Sequence, residues 1–283
     1  MKDFKDKVAV ITGAGSGIGL ALAEVCAQEG MKVVLADIDK RFLRRAKRKM
    51  EKMGASCLDV LTDVSKATDV EILARKTLDT YGAVHLLFNN AAVSNSKYTW
   101  NYTLKDWNWQ LGVNLNGVIH GVRIFTPIML KQDTQCHIVN IASIEGLLFG
   151  SGPGGAIYGV SKHGVVSLSE TLKFELELIK AKLKVSVVCP GGVKTRIWFG
   201  DIHRPVEFLN DEIKEDSRNE KLYANVSSDS LVESPIISAE ESAKIIIQGI
   251  KEEKFYILTH KDELLKGLVK ERFDTILKAF DDD

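Results

Sequence analysis

Two residues four positions apart, Tyr158 and Lys162, have the types and spacing in this sequence that point most directly to chemistry. On a helix this spacing places both side chains on one face, close enough to interact. A phenol ordinarily loses its proton near pH ~10, and a neighbouring ammonium stabilises the phenolate and lowers that pKa towards neutrality. A phenol tuned in this way can exchange protons with an alcohol. Alone, a Tyr–Lys pair at this spacing is more often a surface contact.

A glycine-rich turn, residues 12–19, lies between a β-branched run and a helical stretch that extends to about residue 29. Glycines at such a turn let the backbone approach a phosphate closely, and the helix N-terminus then faces the anion. No Gly-Lys-Ser/Thr follows, which excludes the phosphate-binding loop of NTPases. The turn therefore indicates a dinucleotide site, and a methyltransferase turn, which can look similar, remains the alternative.

Asp37 ends the second predicted strand, about 18 residues after Gly19, where a carboxylate can accept hydrogen bonds from the adenosine ribose. The carboxylate would repel a 2′-phosphate, and the glycine turn contains no Arg or Lys to bind one. The pattern therefore favours NAD over NADP. Alternatively, Asp37, like Asp39, caps the following helix. Asp63, after the third strand, is either an adenine contact or another cap.

Short β-branched runs alternate with longer helical stretches along the chain, a pattern typical of a parallel sheet covered on both faces. The sequence therefore predicts an α/β fold with one doubly wound sheet of about seven strands. The predicted strands are residues 7–12, 32–36, 57–61, 84–89, 136–141, 184–189 and 254–258, and the long predicted helices are residues 40–53, 106–129 and 158–180.

No internal repeat or low-complexity linker divides the 283 residues, so we expect a single domain. The segment 195–235 departs from the alternation, and its length predicts a substrate lid inserted into the domain. Apolar residues at helical spacing predict a C-terminal amphipathic helix at about residues 261–280, more often a core or subunit contact than a membrane helix.

The overall composition narrows the function classes. There are 38 Lys plus Arg and 38 Asp plus Glu, so the basic footprint of a nucleic-acid binder is absent. The four cysteines are scattered, with no spacing that indicates a disulfide framework or a metal site. No signal-peptide run and no apolar stretch of membrane-spanning length is present, which predicts a cytoplasmic protein without a membrane span.

These motifs occur in the order found in the short-chain dehydrogenase/reductase family, which the chain resembles from about residue 7 to residue 195. The motifs are the glycine turn, Asp37, the run Asn89, Asn90, Ala91 and Ala92, then Asn114, Ser143, Tyr158, Lys162, Pro190 and Gly191. One departure is Ala92, where the family usually has glycine. The resemblance implies a Rossmann-type fold, an NAD(P)-dependent oxidoreductase acting on CH–OH groups, and homodimers or homotetramers paired through the two long helices.

The resemblance also implies a role for each matching residue. Tyr158 would be the acid/base, Lys162 would lower the phenol pKa and bind the nicotinamide ribose, and Ser143 would donate to the substrate oxygen. Asn114 would hold a water that links Lys162 to solvent. The implied cofactor contacts are Gly13, Ser16, Gly17, Ile18, Gly19, Asp37, Asp63, Val64, Asn90, Ala91, Tyr158, Lys162, Pro190, Gly191, Val193 and Thr195.

Structural alternatives stay open for several of these residues. Ser143 could cap a turn, Asn114 could brace the backbone, and Pro190 with Gly191 could simply end a strand.

The expected pocket walls are residues 93–100, 144–155 and 197–199, and within them Leu147, Leu148, Phe149, Trp198 and Phe199 indicate an apolar pocket. With Leu148, Trp198 and Phe199 as contacts, they predict a hydrophobic secondary alcohol or its ketone as substrate. Glu145 either contacts a polar substituent or faces solvent. The alternatives are an NADPH-preferring carbonyl reductase and a catalytically silent NAD(H) sensor or scaffold of the same fold. We expect no metal in the reaction.

Overall fold

The sheet contains seven strands, all paired in parallel, in the order β3-β2-β1-β4-β5-β6-β7. The computed structural model describes residues 1, 3–150, 152, 154–210 and 235–281, without the side chains of residues 198 and 199. The strands are β1 (Val8–Thr12), β2 (Lys32–Asp37), β3 (Cys57–Leu61), β4 (Leu86–Asn89), β5 (Cys136–Ile141), β6 (Leu183–Cys189) and β7 (Tyr256–Leu258). The predicted fold class is confirmed.

Eight α-helices connect and cover these strands in the described part of the chain. They are α1 (Gly17–Gln28), α2 (Lys40–Lys52), α3 (Ala67–Tyr81), α4 (Leu104–Leu111), α5 (Gly117–Lys131), α6 (Ala156–Leu178), α7 (Ala239–Lys251) and α8 (Glu263–Lys278). Helices α3 and α7 are additional to those predicted from the sequence. None of these helices is long and apolar enough to cross a bilayer.

Both faces of the sheet are buried, as strand β1 shows. Ala9 and Ile11 pack in the layer that includes α1 and α7, whereas Val8 and Val10 pack in the layer that includes α3 and α5. Successive side chains of a strand point to opposite faces, so a strand buried on both faces is apolar throughout. The whole of β1 is accordingly buried.

The long helix predicted over residues 106–129 is interrupted, and this is a correction. A π-helical turn, Gly112–Asn116, separates α4 from α5. Helix α4 begins with a capping box in which the Asp106 backbone N–H donates to Thr103 Oγ1 at 3.1 Å and the Thr103 backbone N–H donates to Asp106 Oδ2 at 2.8 Å. π-Turns inside helices occur often at functional sites. This one contains Asn114.

Strand order reverses between β1 and β4, because β1 pairs with β2 on one side and with β4 on the other. Helices that leave neighbouring strands in opposite directions open a crevice at the carboxyl ends of those strands. In open α/β sheets this crevice is the usual ligand site.

Candidate active site

A cavity of about 1130 Å³ lies at the carboxyl ends of the strands, above the upper end of the ordinary ~300–1,000 Å³ range of ligand pockets. The positions predicted to contact cofactor all line it, except Gly19. Ser143, Tyr158 and Lys162 line it as well, together with Glu145 and Leu148. The structure therefore brings the sequence motifs together around one long space.

The glycine turn between β1 and α1 forms one end of the cavity. Gly13 and Gly17 have φ values of +64° and +53°, which glycine adopts without steric cost. A Cβ on Gly19 would lie 2.2 Å from the Gly13 carbonyl oxygen, so no side chain fits there. Gly19 thus supports the turn from behind, and the N-terminus of α1 faces open space.

Asp37 stands beside this turn and holds it through hydrogen bonds. Its Oδ2 accepts from the Gly15 backbone N–H at 2.8 Å, and its Oδ1 accepts from the Asp39 backbone N–H at 2.8 Å. Burial raises the pKa of Asp37 above its ordinary value, although these two hydrogen bonds oppose the rise. The helix cap of α2 is Asp39, which accepts from the backbone N–H groups of Arg41 and Phe42. The capping alternative for Asp37 is therefore wrong.

Asp63 belongs to the turn before α3. Its Oδ1 accepts from the Ser65 backbone N–H at 3.1 Å and from the Ser65 hydroxyl at 2.6 Å, whereas the N-cap of α3 is Lys66. Asp63 also lines the cavity, so its position permits a ligand contact.

Lys162 is buried on α6, with 2% of its surface exposed. Its Nζ donates to the Ile141 carbonyl at 3.0 Å and lies 5.4 Å from the centroid of the Tyr158 ring. Burial lowers the pKa of Lys162 to about 8, although the nearby Cys189 and Glu145 oppose the fall. The ammonium is therefore protonated at pH 7 and loses its charge in mildly alkaline solution.

Tyr158 departs from the sequence expectation. Burial raises the pKa of its phenol above the ordinary value, the Glu145 charge raises it further, and a hydrogen bond with the Ser143 side chain lowers it. The predicted fall of this pKa towards neutrality is thus wrong for the protein by itself, because burial opposes the charged phenolate. The phenol is neutral at pH 7 and can act as a proton donor.

Ser143 and Asn114 both have structural partners. The Ser143 hydroxyl accepts from the Glu145 backbone N–H at 3.2 Å and so caps a 3-10 turn. Asn114 brackets Val93, accepting from its N–H at 2.8 Å and donating to its carbonyl at 2.9 Å, and it also donates to Ser161 Oγ at 3.3 Å. Both structural alternatives are therefore present in the fold. Ser143 additionally faces Tyr158, whereas Asn114 is buried behind the cavity wall.

His260, which belongs to none of the sequence motifs, positions the loop after β6. Its Nε2 donates to the Pro235 carbonyl at 2.9 Å, so its Nδ1 accepts, from the Gly191 backbone N–H at 3.2 Å and from the Thr259 hydroxyl at 2.8 Å. Thr259 Oγ1 is a second acceptor for the Gly191 N–H, at 3.3 Å. A Cβ on Gly191 would lie 2.8 Å from this ring. The partners are far apart in sequence, and a lone histidine after a strand carries no local signal of this contact.

The opposite end of the cavity is assembled from separate segments. Its walls include Ser94, Ser96, Tyr98, Trp109, Leu148, Phe149 and, from α8, Leu268, Glu271 and Thr275. The contribution of α8 was not predicted. The predicted contacts Trp198 and Phe199 have side chains outside the described part of the structure, and residues 211–234 of the predicted lid lie outside it too.

The described part of the predicted lid is anchored on a buried carboxylate. Arg204 bonds to Asp106 and lies 4.7 Å from the centroid of the Trp109 ring, and Lys97 Nζ lies 3.1 Å from Asp106 Oδ2. Burial alone would raise the pKa of Asp106. Hydrogen bonds from Arg204, from the Thr103 backbone and from Lys97 outweigh that effect and hold the pKa below its ordinary value.

Comparison with known proteins identifies the family. The sequence profile described as "short chain dehydrogenase" matches residues 7–201. The chain belongs to this family. Its members here include a "CLA biosynthesis dehydrogenase/reductase" of Lactiplantibacillus plantarum, 31% identical over 277 residues, covering 98% of this chain and 95% of the relative. A "C alpha-dehydrogenase" of Sphingobium sp. is 32% identical over 280 residues, covering 99% of this chain and 88% of the relative.

A solved structure of a short chain dehydrogenase/reductase from Burkholderia phymatum, in complex with NAD, is 43% identical. It superposes with a TM-score of 0.91, covering 99% of this chain and 97% of that one. The protein is therefore an oxidoreductase of the short-chain dehydrogenase family, and the predicted family and enzyme class are confirmed.

Proposed function

We propose that the protein uses NAD to interconvert a hydrophobic secondary alcohol and its ketone, with Tyr158 as the acid/base. One observation carries this proposal. The phenol of Tyr158, with Ser143 and Lys162 beside it, lines the same cavity as the glycine turn and Asp37. A proton-transfer group and a dinucleotide cradle at two ends of one space form the arrangement that such a reaction needs.

The residues present fit NAD. No side chain fits at Gly15 in the glycine turn, since a Cβ there would lie 2.7 Å from Asp37 Oδ2, and the backbone is open to phosphates at the N-terminus of α1. Asp37 would hold the adenosine ribose, and the loop with Gly191 and Val193 would hold the nicotinamide. When bound, NAD supplies the hydride acceptor or donor. The relative from Burkholderia phymatum, solved with NAD, supports this choice.

The side chains at the catalytic end would move and hold a proton. In ketone reduction the neutral phenol of Tyr158 donates its proton to the substrate oxygen, and the Ser143 hydroxyl donates a hydrogen bond to the same oxygen. The Lys162 ammonium favours the resulting phenolate electrostatically. In alcohol oxidation the same groups work in the reverse direction. Asn114 fixes the loop at Val93 that closes this end.

The residues of the cavity wall support the proposed substrate class. Leu148, Phe149, Trp109 and Leu268 contribute apolar side chains to the cavity wall, which favours a hydrophobic substrate over a sugar or an acyl thioester. Glu145 also lines this end, where its carboxylate would face a hydrogen-bond donor on the substrate.

A substrate screen with two variants tests the proposal. Hydrophobic secondary alcohols with NAD, and the matching ketones with NADH, are assayed at the absorbance band of reduced nicotinamide. Tyr158→Phe should lower kcat/KM by about 10³-fold or more, because it removes the proton donor and leaves the ring in place. Tyr81→Phe, which removes a phenol at the end of α3 outside the cavity, should leave activity unchanged.

Three outcomes would contradict parts of this proposal. Tight NAD binding without turnover in the wild type would favour the silent sensor. A clear preference for NADPH would favour the carbonyl reductase. Full activity in Tyr158→Phe would exclude the acid/base role of Tyr158.

We also propose that the protein is a homodimer or homotetramer paired through α5 and α6. Support comes from large apolar side chains exposed on α6, such as Val160 at 51% and Phe174 at 69%. Light scattering coupled to size-exclusion chromatography measures the mass in solution. A monomer at micromolar concentration would contradict this assignment.

A further inference from the structure

A short segment, residues 195–205, crosses the cofactor side of the cavity, and we refer to it as the strap. At its start, the Thr195 side chain would lie 3.3 Å from a Cβ placed on Gly17, so the strap touches the glycine turn. Further along, Arg196, Gly200 and His203 line the cavity. The strap therefore faces the space between the phosphate end and the adenosine end of the dinucleotide cradle.

The side chain of Arg196 lies over the aromatic ring of Phe42. Its guanidinium carbon is 4.6 Å from the ring centroid. Phe42 in turn packs on the glycine turn, because a Cβ on Gly15 would lie 2.8 Å from Phe42 Cβ. A guanidinium stacked on a ring is fixed in orientation, while the N–H donors at its edge stay available for an anion. The start of the strap thus spans the glycine turn. Thr195 lies beside Gly17, and Arg196 lies over Phe42, which together with Asp37 lies beside Gly15.

The charges around the cradle favour a cation beside the position of the pyrophosphate. A pyrophosphate carries two negative charges, whereas the N-terminus of a helix supplies roughly half a positive charge. The first turn of α1 contains no basic residue, and Asp37 and Asp63 add negative charge to the wall. Among the described residues that line the cavity, the Lys and Arg side chains are Lys162 and Arg196. Lys162 is bonded to Ile141 at the catalytic end.

The strap is also held in place over the cradle. Arg204 ties it to the buried Asp106, and the edge of the His203 ring packs on Phe42, with ring centroids 5.8 Å apart. At the other side, the Lys194 backbone N–H donates to the Ile237 carbonyl at 2.9 Å. Arg196 therefore stands in a segment fixed at both ends, which lowers the entropic cost of placing its charge.

We propose that Arg196 pairs with the pyrophosphate of bound NAD, so that the strap, predicted from the sequence as part of a substrate lid, binds cofactor. This inference rests on the proposed function only in that the site binds NAD. Guanidinium pairs with phosphate oxygens through two parallel N–H donors, which makes Arg a strong and oriented partner for this group.

Calorimetric titration with NAD, ADP-ribose and adenosine tests the pairing without any turnover. Arg196→Gln should weaken NAD and ADP-ribose about 10- to 100-fold, because it removes a charge-assisted hydrogen bond, and should change adenosine affinity less than about 2-fold. The affinity of Arg196→Lys for NAD and ADP-ribose should lie between those of the wild type and Arg196→Gln, since an ammonium keeps the charge but not the planar pair of donors. The matched control is Lys194→Gln, which removes an exposed cation outside the cavity and should change all three affinities less than about 2-fold.

Thermal unfolding confirms that each variant is folded, which we expect because Arg196 is exposed. Equal weakening of adenosine and ADP-ribose by Arg196→Gln would overturn the inference, since Arg196 would then act by holding the Phe42 wall. Unchanged ADP-ribose affinity in Arg196→Gln would overturn it as well, and leaves the proposed function intact. A wild type that binds neither NAD nor ADP-ribose would overturn both.

Discussion

The two ends of the cavity are built in different ways. At the cofactor end, one strand, one turn and one helix that follow each other in the chain make the cradle, and backbone contacts such as Gly19 against Gly13 determine its shape. At the substrate end, residues from the loop after β4, the loop after β5 and α8 meet through side chains. Contacts such as Lys97 with Asp106 hold that end together.

This difference determines which end of the cavity can tolerate substitutions. A backbone cradle tolerates almost no added atoms, whereas a wall of side chains from several loops can be rebuilt without disturbing the sheet. A shared cofactor site and a changeable substrate site are therefore expected on one fold. Four predictions test how far the two ends are independent.

Lys162→Met should have the largest effect and should act in opposite directions on catalysis and on stability. Loss of the ammonium should lower kcat by about 10²- to 10⁴-fold. The variant should unfold at higher urea concentration at pH 7, and its free energy of unfolding should rise by roughly 1–3 kcal/mol. The reason is that burial of the charged group is unfavourable, as the lowering of the Lys162 pKa to about 8 indicates. Urea denaturation and steady-state kinetics measure the two effects.

The pH dependence supplies the control. Between pH 8 and the ordinary lysine value near ~10.4, the unfolded chain binds more protons at this site than the folded protein, so wild-type stability rises with pH. Lys162→Met should lack this rise, whereas Lys173→Met, at a partly buried position outside the cavity on the same helix, should keep it. A Lys162→Met protein that is less stable than wild type at pH 7 would show that the bond to Ile141 outweighs the cost of burial.

Gly19→Ala should disrupt NAD binding at the cofactor end of the cavity. The new methyl group would lie 2.2 Å from the Gly13 carbonyl oxygen, so the turn must move. We expect about 100-fold weaker NAD binding and a loss of roughly 1–3 kcal/mol in the free energy of unfolding. Gly267→Ala is the matched control, because nothing lies within 4 Å of its new methyl group, and it should stabilise α8 by about 0.5–1 kcal/mol. Unchanged NAD affinity in Gly19→Ala would mean that the cradle is adaptable.

His260→Ala should reduce kcat about 10-fold and leave ADP-ribose affinity within about 2-fold, because the ring supports the loop near the nicotinamide and not the adenosine end. His260→Asn can keep an acceptor for the Gly191 N–H and should recover part of the rate. His260→Gln, which can reach the Pro235 carbonyl instead, should recover less. Parallel losses of kcat and ADP-ribose affinity would show that the two ends are coupled through this loop.

Asp37→Ala should have the smallest effect on rate and should shift the choice of cofactor. Removal of the carboxylate should improve the NADP-to-NAD ratio of kcat/KM by about 10-fold. Asp37→Asn keeps an oxygen acceptor for the Gly15 N–H while removing the charge, so it separates repulsion from support of the turn. The ratio for the two variants, measured with one substrate, decides between these causes. An unchanged ratio in both would exclude Asp37 as the selectivity residue.

The sequence was most informative where function depends on neighbours in the chain. The strand bounds of β3 and β5 match the prediction, and the glycine turn with Asp37 forms one cradle as expected. Contacts between distant segments were not predictable. His260 at Gly191 and α8 at the substrate end depend on how loops return to the sheet, and periodicity carries no such information. The predicted lowering of the Tyr158 pKa was wrong because residue spacing indicates a charged neighbour but not the extent of burial.

The π-helical turn Gly112–Asn116 fits one more residue into the span between α4 and α5 than a regular helix would need. Each residue of an α-helix advances by about 100° around the axis. Shortening this turn by one position would therefore rotate everything after it, including the face of α5 packed on the sheet, relative to Thr103 and Asp106 at the other end. The number of residues in this turn is therefore constrained as well as the identity of Asn114 within it.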